Sequence, residues 1–359
     1  MHKTGLPAMR SFAQTYAIRV ESRAIILAAG AFVLAGLCAL LVMHGTHLPL
    51  WKGWSVGLLA ILAGSLTGGI AYVVSAIDSS RRIAAKTGAK RRILRFAWDT
   101  TALTFTHVAI YCMLCLVMFS TLQTAFQGLR VDTLTGTMLV GVSGAATAYF
   151  LSLSAATTTA YTLSNLLTVF LSSGVLLSMT TTADPHWWEF NFSILGTTRD
   201  FSSLAFNVTL ILAGATITIM ADYATNDLSA WTKRLFGQAS ARIALIKWAL
   251  VAIGILLACV GLVPVNRALI VHNTVATGMV VLFFVLMIAL RWLLPGFPRT
   301  FFLLGYSFLG CIVVAAVMFF PIGYYNLTAF ELIAAAFIFG WLVIFVRNIA
   351  AVTADASSH

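Results

Sequence analysis

The stretch AIILAAGAFVLAGLCALLVM, residues 24–43, runs for 20 positions without a charged side chain. At ~1.5 Å rise per residue, a helix of that length covers the ~30 Å hydrocarbon core of a bilayer. Four basic residues precede it, Lys3, Arg10, Arg19 and Arg23. A secretory signal would show the same basic start, but its apolar core is only about 7–15 residues. The stretch therefore reads as a first membrane helix. Nine more apolar runs follow, at approximately 54–77, 101–124, 134–153, 163–181, 203–221, 243–263, 273–292, 301–320 and 328–347.

Composition agrees with this reading. Only 9% of the 359 residues are Asp, Glu, Lys or Arg, and 60% are hydrophobic. Soluble domains carry roughly 25% charged residues, enough for a hydrated shell. This chain lacks the charge for one, and lipid is the solvent that accepts such a surface. The fold class expected is all-α, a polytopic integral membrane protein of about ten transmembrane helices. The net charge of +11 is not read as a nucleic-acid footprint, because the basic residues fall in short segments between apolar runs.

Those basic residues orient the chain. With the N-terminus cytoplasmic, 18 Lys and Arg fall on the inner side, and only Lys52, Arg130, Arg199 and Arg267 on the outer. The positive-inside rule favours that arrangement, with both termini cytoplasmic. Trp51, Trp54, Trp187, Trp188, Tyr324 and Tyr325 then sit at outer interfaces, and Trp98, Trp231 and Trp292 at inner ones, the depth amphipathic rings prefer. Pro264, Pro295, Pro298 and Pro321 fall just past helix ends, where a missing N–H does little harm. The link 152–165 (SLSAATTTAYTLSN) carries no charge. It reads as a loop, a re-entrant segment or part of one long helix.

No phosphate-binding G-x-x-x-x-G-K-[ST], no H-E-x-x-H and no G-x-S-x-G occurs in the chain. No catalytic residue, cofactor or metal is assigned, and the expectation leans away from an enzyme. The odd cysteine count (Cys38, Cys112, Cys115, Cys259, Cys311) lies inside apolar runs, so no disulfide framework is expected. The C-x-x-C at Cys112 and Cys115 is read as packing. So are the small residues Gly64, Gly68, Gly141 and Gly144, which let helices approach closely.

Polar groups inside apolar runs are functional candidates, because lipid exposure would be costly. Thr100, Thr104 and His107 recur on one face of the third run. They read either as an intramembrane polar site or as a neutral histidine bonded to a neighbouring helix. The outer segment ADPHWWEFNFSILGTTRDFSS, residues 183–203, is longer than a connector requires. It is expected to form a short interfacial helix and then a turn at Gly196, with Trp187, Trp188 and Glu189 acting as a lid. It either caps a substrate or lipid pathway or only seals the bundle. His44, His47, His186 and His272 gather on the outer side with Asp184, Glu189 and Asp200, but at spacings that match no metal motif.

Beyond residue 163 the chain shows a run of short motifs. They are Asn191-Phe-Ser193-Ile-Leu195-Gly196-Thr197, Leu204-Ala-Phe206-Asn207, an Ile-Leu-Ala-Gly run ending at Gly214, Gly261-Leu-Val-Pro264 and Val271-His272-Asn273-Thr-Val-Ala276. Residues 163–350 thereby resemble an uncharacterised bacterial six-helix membrane family related to the DRAM/Frag/Sfk group. The resemblance implies that the fifth to tenth spans are that family's six helices. Ser193, Gly196, Asn207 and His272 fall on its motif positions. It points toward lipid handling or membrane trafficking, and a fold analogy alone does not fix function.

The expected organisation is a four-helix extension (1–160), a six-helix domain (161–350) and a short tail (351–359), in a bacterial plasma membrane. The expected function is a permease-like transport or lipid-handling component. Its outward-facing site would lie under the 183–203 loop and use Ser193, Gly196, Asp200, Asn207, His272 and Asn273. A membrane-embedded lipid hydrolase using outer His and Asp residues is one alternative, and a non-catalytic scaffold or accessory subunit another. Membrane lipids are expected partners, as is a separate cytoplasmic ATPase subunit docked on the basic segments 78–98 and 222–247. The segment 78–98 reads either as a topology signal alone or as a site for anionic headgroups, each Lys or Arg contributing ~1 kcal/mol.

Overall fold

A computed structural model describes residues 6–88, 93–237 and 241–358. Of the basic residues counted above, Lys3, Lys90, Arg91 and Arg92 lie outside the described residues, as do the side chains of Arg10 and Lys86. Among the described residues, ten helices are long and apolar enough to cross a membrane. They are α1 (Leu6–Met43), α2 (Val56–Thr87), α3 (Ile93–Ala125), α4 (Thr133–Ala156) and α5 (Ala160–Thr181), then α6 (Phe201–Phe236), α7 (Arg242–Leu262), α8 (Leu269–Leu293), α9 (Arg299–Phe319) and α10 (Leu327–Ser358). The chain is an all-α, multi-pass integral membrane protein. A two-residue antiparallel pair, β1 (Leu48–Pro49) with β2 (Arg130–Val131), ties two connectors together.

The side chains show what solvent the helices meet. Ile26, Leu41, Leu66, Phe150 and Leu303 are 65–78% exposed. A water-soluble protein rarely leaves so much apolar surface open; around a helix in lipid it is the contact surface.

Helix ends depart from the apolar windows. α2 runs ten residues past position 77, and α6 fifteen past position 221. The segments 78–98 and 222–247, expected as basic loops, are mostly helical extensions. The window stops at the first charges, but the backbone ladder does not need apolar side chains. Asp78 and Arg82 pair at i,i+4, 2.7 Å apart, along the extension of α2. Gly88 then stops that helix with a left-handed φ of 67°, donating its N–H to Ala84 O.

The link 152–165 is a tight break between two helices. α4 ends at Ala156 and α5 starts at Ala160. Thr159 caps α5 in a reciprocal capping box with Thr162.

The chain divides into two compact units, Met1–Thr158 and Thr159–His359. In the first, α4 packs on α1 and α2, and α2 packs on α3. Small residues allow this. A side chain at Gly68 would run into Thr147, and one at Gly144 into Ala35. Hydroxyls within the apolar layers are satisfied locally. Thr106 donates to Ala102 O at 2.9 Å, and Thr147 to Ser143 O at 2.6 Å. Cys112 lies 3.4 Å from Ser65 Oγ, and Cys115 is buried.

In the second unit α6 is the packing centre, against α5, α7 and α10. An aromatic stack of Trp341, Phe345, Phe301, Phe297 and Trp231 fills the end predicted to face inward, with ring centroids 5.0–6.3 Å apart. Lys247 and Asp222 pair across α6 and α7 at 2.7 Å.

Candidate functional site

The opposite, predicted outer end of the second unit carries the 183–203 segment. It forms no interfacial α-helix. Instead it makes two 3₁₀ turns, Trp187–Glu189 and Phe192–Gly196. The physical reason lies in its tertiary bonds: its backbone groups are claimed from outside the segment, which leaves little for a continuous helical ladder. Phe192 N–H donates to Glu331 Oε2 at 2.6 Å. Asn326 Nδ2 donates to Trp188 O at 2.8 Å, and Asn266 Nδ2 to Thr197 O at 3.2 Å. Asn207 Nδ2 and Ser203 Oγ both donate to Gly196 O, at 2.9 and 3.1 Å.

Under this segment Ser193 meets His272. The His272 Nδ1 lies 2.6 Å from Val263 O. A carbonyl only accepts, so Nδ1 carries the proton, a tautomer assigned from the bonding pattern. Nε2 of the neutral ring is then the acceptor for the Ser193 hydroxyl, 3.1 Å away. His272 is only 4% exposed. The pair has the form of a nucleophile and its base, with the Val263 carbonyl standing where a catalytic triad would place a carboxylate. Phe192 stacks edge-on against Phe206 beside the pair, with centroids 5.1 Å apart.

The other predicted residues fall as follows. Asp200 is the N-cap of α6: its Oδ1 accepts Ser203 N–H at 3.0 Å and Thr198 Oγ1–H at 2.6 Å. Partial desolvation pushes this carboxyl up, and those hydrogen bonds outweigh it, holding it below the usual carboxylate range. Gly196 lies at the end of the second turn, close against Asn207 and Phe206, with no room for a side chain. Asn273 is exposed and makes no bond to Ser193 or His272. Trp188 and Glu189 are exposed on the first turn and Trp187 is half-buried. Glu189 pairs with His186 Nδ1 at 2.9 Å on the surface, a contact worth little in water.

Two residues of this site had no place in the sequence reading, Glu331 and Asn326, and Asn191 entered it only as the first residue of a motif. Glu331 had a signal, since it is the sole charged residue between 328 and 346, and a lone intramembrane carboxylate is a functional candidate. Asn326 caps α10 through Ala329 N–H at 2.9 Å while also holding the loop. Asn191 Oδ1 is buried and has no hydrogen-bond partner among the described residues. Nothing local in the sequence marks Asn326, and the motif that begins at Asn191 does not show its side chain as a buried, open acceptor.

The first unit holds a parallel pair. His107 Nδ1 donates to Leu103 O at 2.7 Å, and Nε2 lies 2.7 Å from Ser154 Oγ. Tyr72 packs on the ring, with centroids 4.8 Å apart. Thr104 bonds back to Thr100 O at 2.7 Å rather than to the histidine. Both nitrogens of His107 are thus partnered. Among the described residues no three His, Cys, Asp or Glu side chains come together as a metal-ligand group.

Comparison of the chain with protein-family models, curated proteins and solved structures gives no match.

Proposed function

We propose that this membrane protein handles an amphipathic, lipid-like substrate, taken in at the predicted outer end of the second unit beneath the 183–203 loop. The observation that carries the reading is Asn191 Oδ1. It is a buried acceptor left open beside Phe192 and Ser193, which are bonded to Glu331 and His272. Leaving such a group unpaired costs about 1–3 kcal/mol, and a headgroup hydroxyl or ammonium would supply the missing donor. Trp188, Phe190, Phe201 and Leu204 stand 48–60% exposed around it, an apolar rim suited to acyl chains. The resemblance of residues 163–350 to a family with lipid-handling relatives supports the same direction.

The test is photo-crosslinking of the full chain in vesicles with a diazirine-bearing phospholipid. Adducts are expected to concentrate on peptides covering 187–207, and to fall several-fold in Trp188→Ser. Adducts spread evenly over the lipid-facing sides of all ten helices would overturn the reading.

A second reading, cleavage of a lipid ester, is favoured by the Ser193–His272 bond. In it the Ser193 oxygen attacks an acyl carbonyl while Nε2 takes the hydroxyl proton; the ester C–O bond breaks, the alcohol departs with that proton, and water then releases the acyl group from Ser193 as the acid. A fluorophosphonate probe is then expected to label Ser193 with loss of fluoride, and labelling to vanish in Ser193→Ala. An unlabelled wild-type protein would rule this chemistry out.

A further inference from the structure

The first unit holds a second polar site, built from other residues. A cleft among α1, α2 and α4 is lined by Arg19, Arg23, Ser75, Asp78, Arg82 and Ser152. It lies at the end predicted to face the cytoplasm. Three guanidinium groups share it with one carboxylate.

The pairing inside the cleft leaves positive charge over. Asp78 Oδ2 alone receives both Arg23, at 2.5 Å, and Arg82, at 2.7 Å. Asp78 thereby neutralises one charge and fixes two guanidinium planes. Arg19 is exposed and has no hydrogen-bond or ion-pair partner among the described residues. The carboxylate two residues further along α1, Glu21, is occupied by the Tyr149 hydroxyl. Over the residues that line the cleft the formal surplus is two positive charges.

The back wall offers a neutral donor. Ser75 and Ser152 are buried and their hydroxyls lie 2.7 Å apart. One proton serves that bond, and the other hydroxyl proton is left to donate. Guanidinium forks with a hydroxyl beside them match the oxygens of a phosphate group, which takes paired N–H donors and carries one to two negative charges. A carboxylate would balance only half the surplus. The site lies where the uncharged stretches of α1 and α2 give way to their first charges and close to the end of α4, the depth at which phosphate headgroups sit.

We propose that this cleft binds a phosphate group, carried by an acidic lipid headgroup or present as the free ion. Asp78 acts as the positioning residue that aims Arg23 and Arg82, and Arg19 closes on the ligand.

The test uses the full chain purified in detergent and reads its thermal unfolding temperature. The probes are dioctanoyl phosphatidic acid, inorganic phosphate and, as the zwitterionic control, dioctanoyl phosphatidylcholine. Phosphatidic acid is expected to give a saturable rise that the control does not. Loss of one charged hydrogen bond in Arg19→Gln is expected to weaken its apparent affinity about ten-fold or more. Arg19→Lys should retain part of it. Inorganic phosphate reproducing the rise would identify the bare ion as sufficient, and a rise with phosphatidic acid alone would identify the lipid headgroup. No saturable rise from either probe would overturn the proposal, as would an unchanged affinity in Arg19→Gln. Arg19 makes no ion pair among the described residues, so its ligand-free unfolding temperature should stay near wild type; Ser152→Ala, which removes the neutral donor, should also weaken the phosphatidic acid response, and an unchanged response there would count against the site.

Discussion

Replacing Gly214 by valine is expected to abolish the folded protein. α6 and α7 cross with their backbones nearly touching. A Cβ at Gly214 would collide with Gly254 O and lie 2.7 Å from Ala258 N. The contact is reciprocal, since a Cβ at Gly254 would lie 2.6 Å from Gly214 O. One heptad along α7, a Cβ at Gly261 would lie 2.7 Å from Asn207 O. The obstacles are main-chain atoms, so no rotamer change relieves them and the helices must part. Association in lipid rests on close packing rather than on a hydrophobic drive, and overpacking alone costs about 1–3 kcal/mol. Parting the two helices along their contact should exceed 3 kcal/mol. Size-exclusion profiles and unfolding temperatures will read this out. Gly278→Ala is the control, because nothing lies within 4 Å of a Cβ there. Normal behaviour of Gly214→Val would contradict the packing described.

The second large effect is expected from His272→Ala. The substitution removes both partners of a buried ring. It leaves Val263 O without its donor and the Ser193 hydroxyl without its acceptor, and it opens a void under the loop. Unpaired buried groups cost about 1–3 kcal/mol and core truncations about 2–5. A loss of roughly 3 kcal/mol is expected. Because Ser193 is the loop's tie to α8, faster tryptic cleavage at the exposed Arg199 should accompany it. His272→Gln, whose amide can donate one way and accept the other, should recover part of both. Unchanged unfolding and cleavage in His272→Ala would show that the pair does not hold the loop.

Hydropathy made the ten helices legible because lipid asks one thing of every residue on their outer faces. Ile26, Leu41 and Leu303 answer it by composition alone. The same signal misplaced several ends. Charges such as Asp78 and Arg82 stop a hydropathy window, yet at i,i+4 spacing they continue the helix. The loop was harder. Its aromatics were visible, and Ser193 and His272 were singled out by motif. Its shape depends on Glu331, Asn326 and Asn266, which lie between 69 and 139 positions away from their partners. No local pattern encodes which of the loop's carbonyls and amides will be claimed from such distances. Glu331 alone could have been suspected, as a single charge in an apolar run.

The length of α6 has a mechanical meaning. Its 36 residues extend about 54 Å, against ~30 Å of hydrocarbon. One end is tied to the loop through Asp200 and Asn207, and the other projects well past the apolar layer. No proline interrupts it, so it tilts as one piece. A tilt of about 5° at the loop would carry the far end sideways by roughly 5 Å at that length. On the function proposed above, a ligand seated beneath the loop would be felt as displacement at the opposite face, with α6 as the lever.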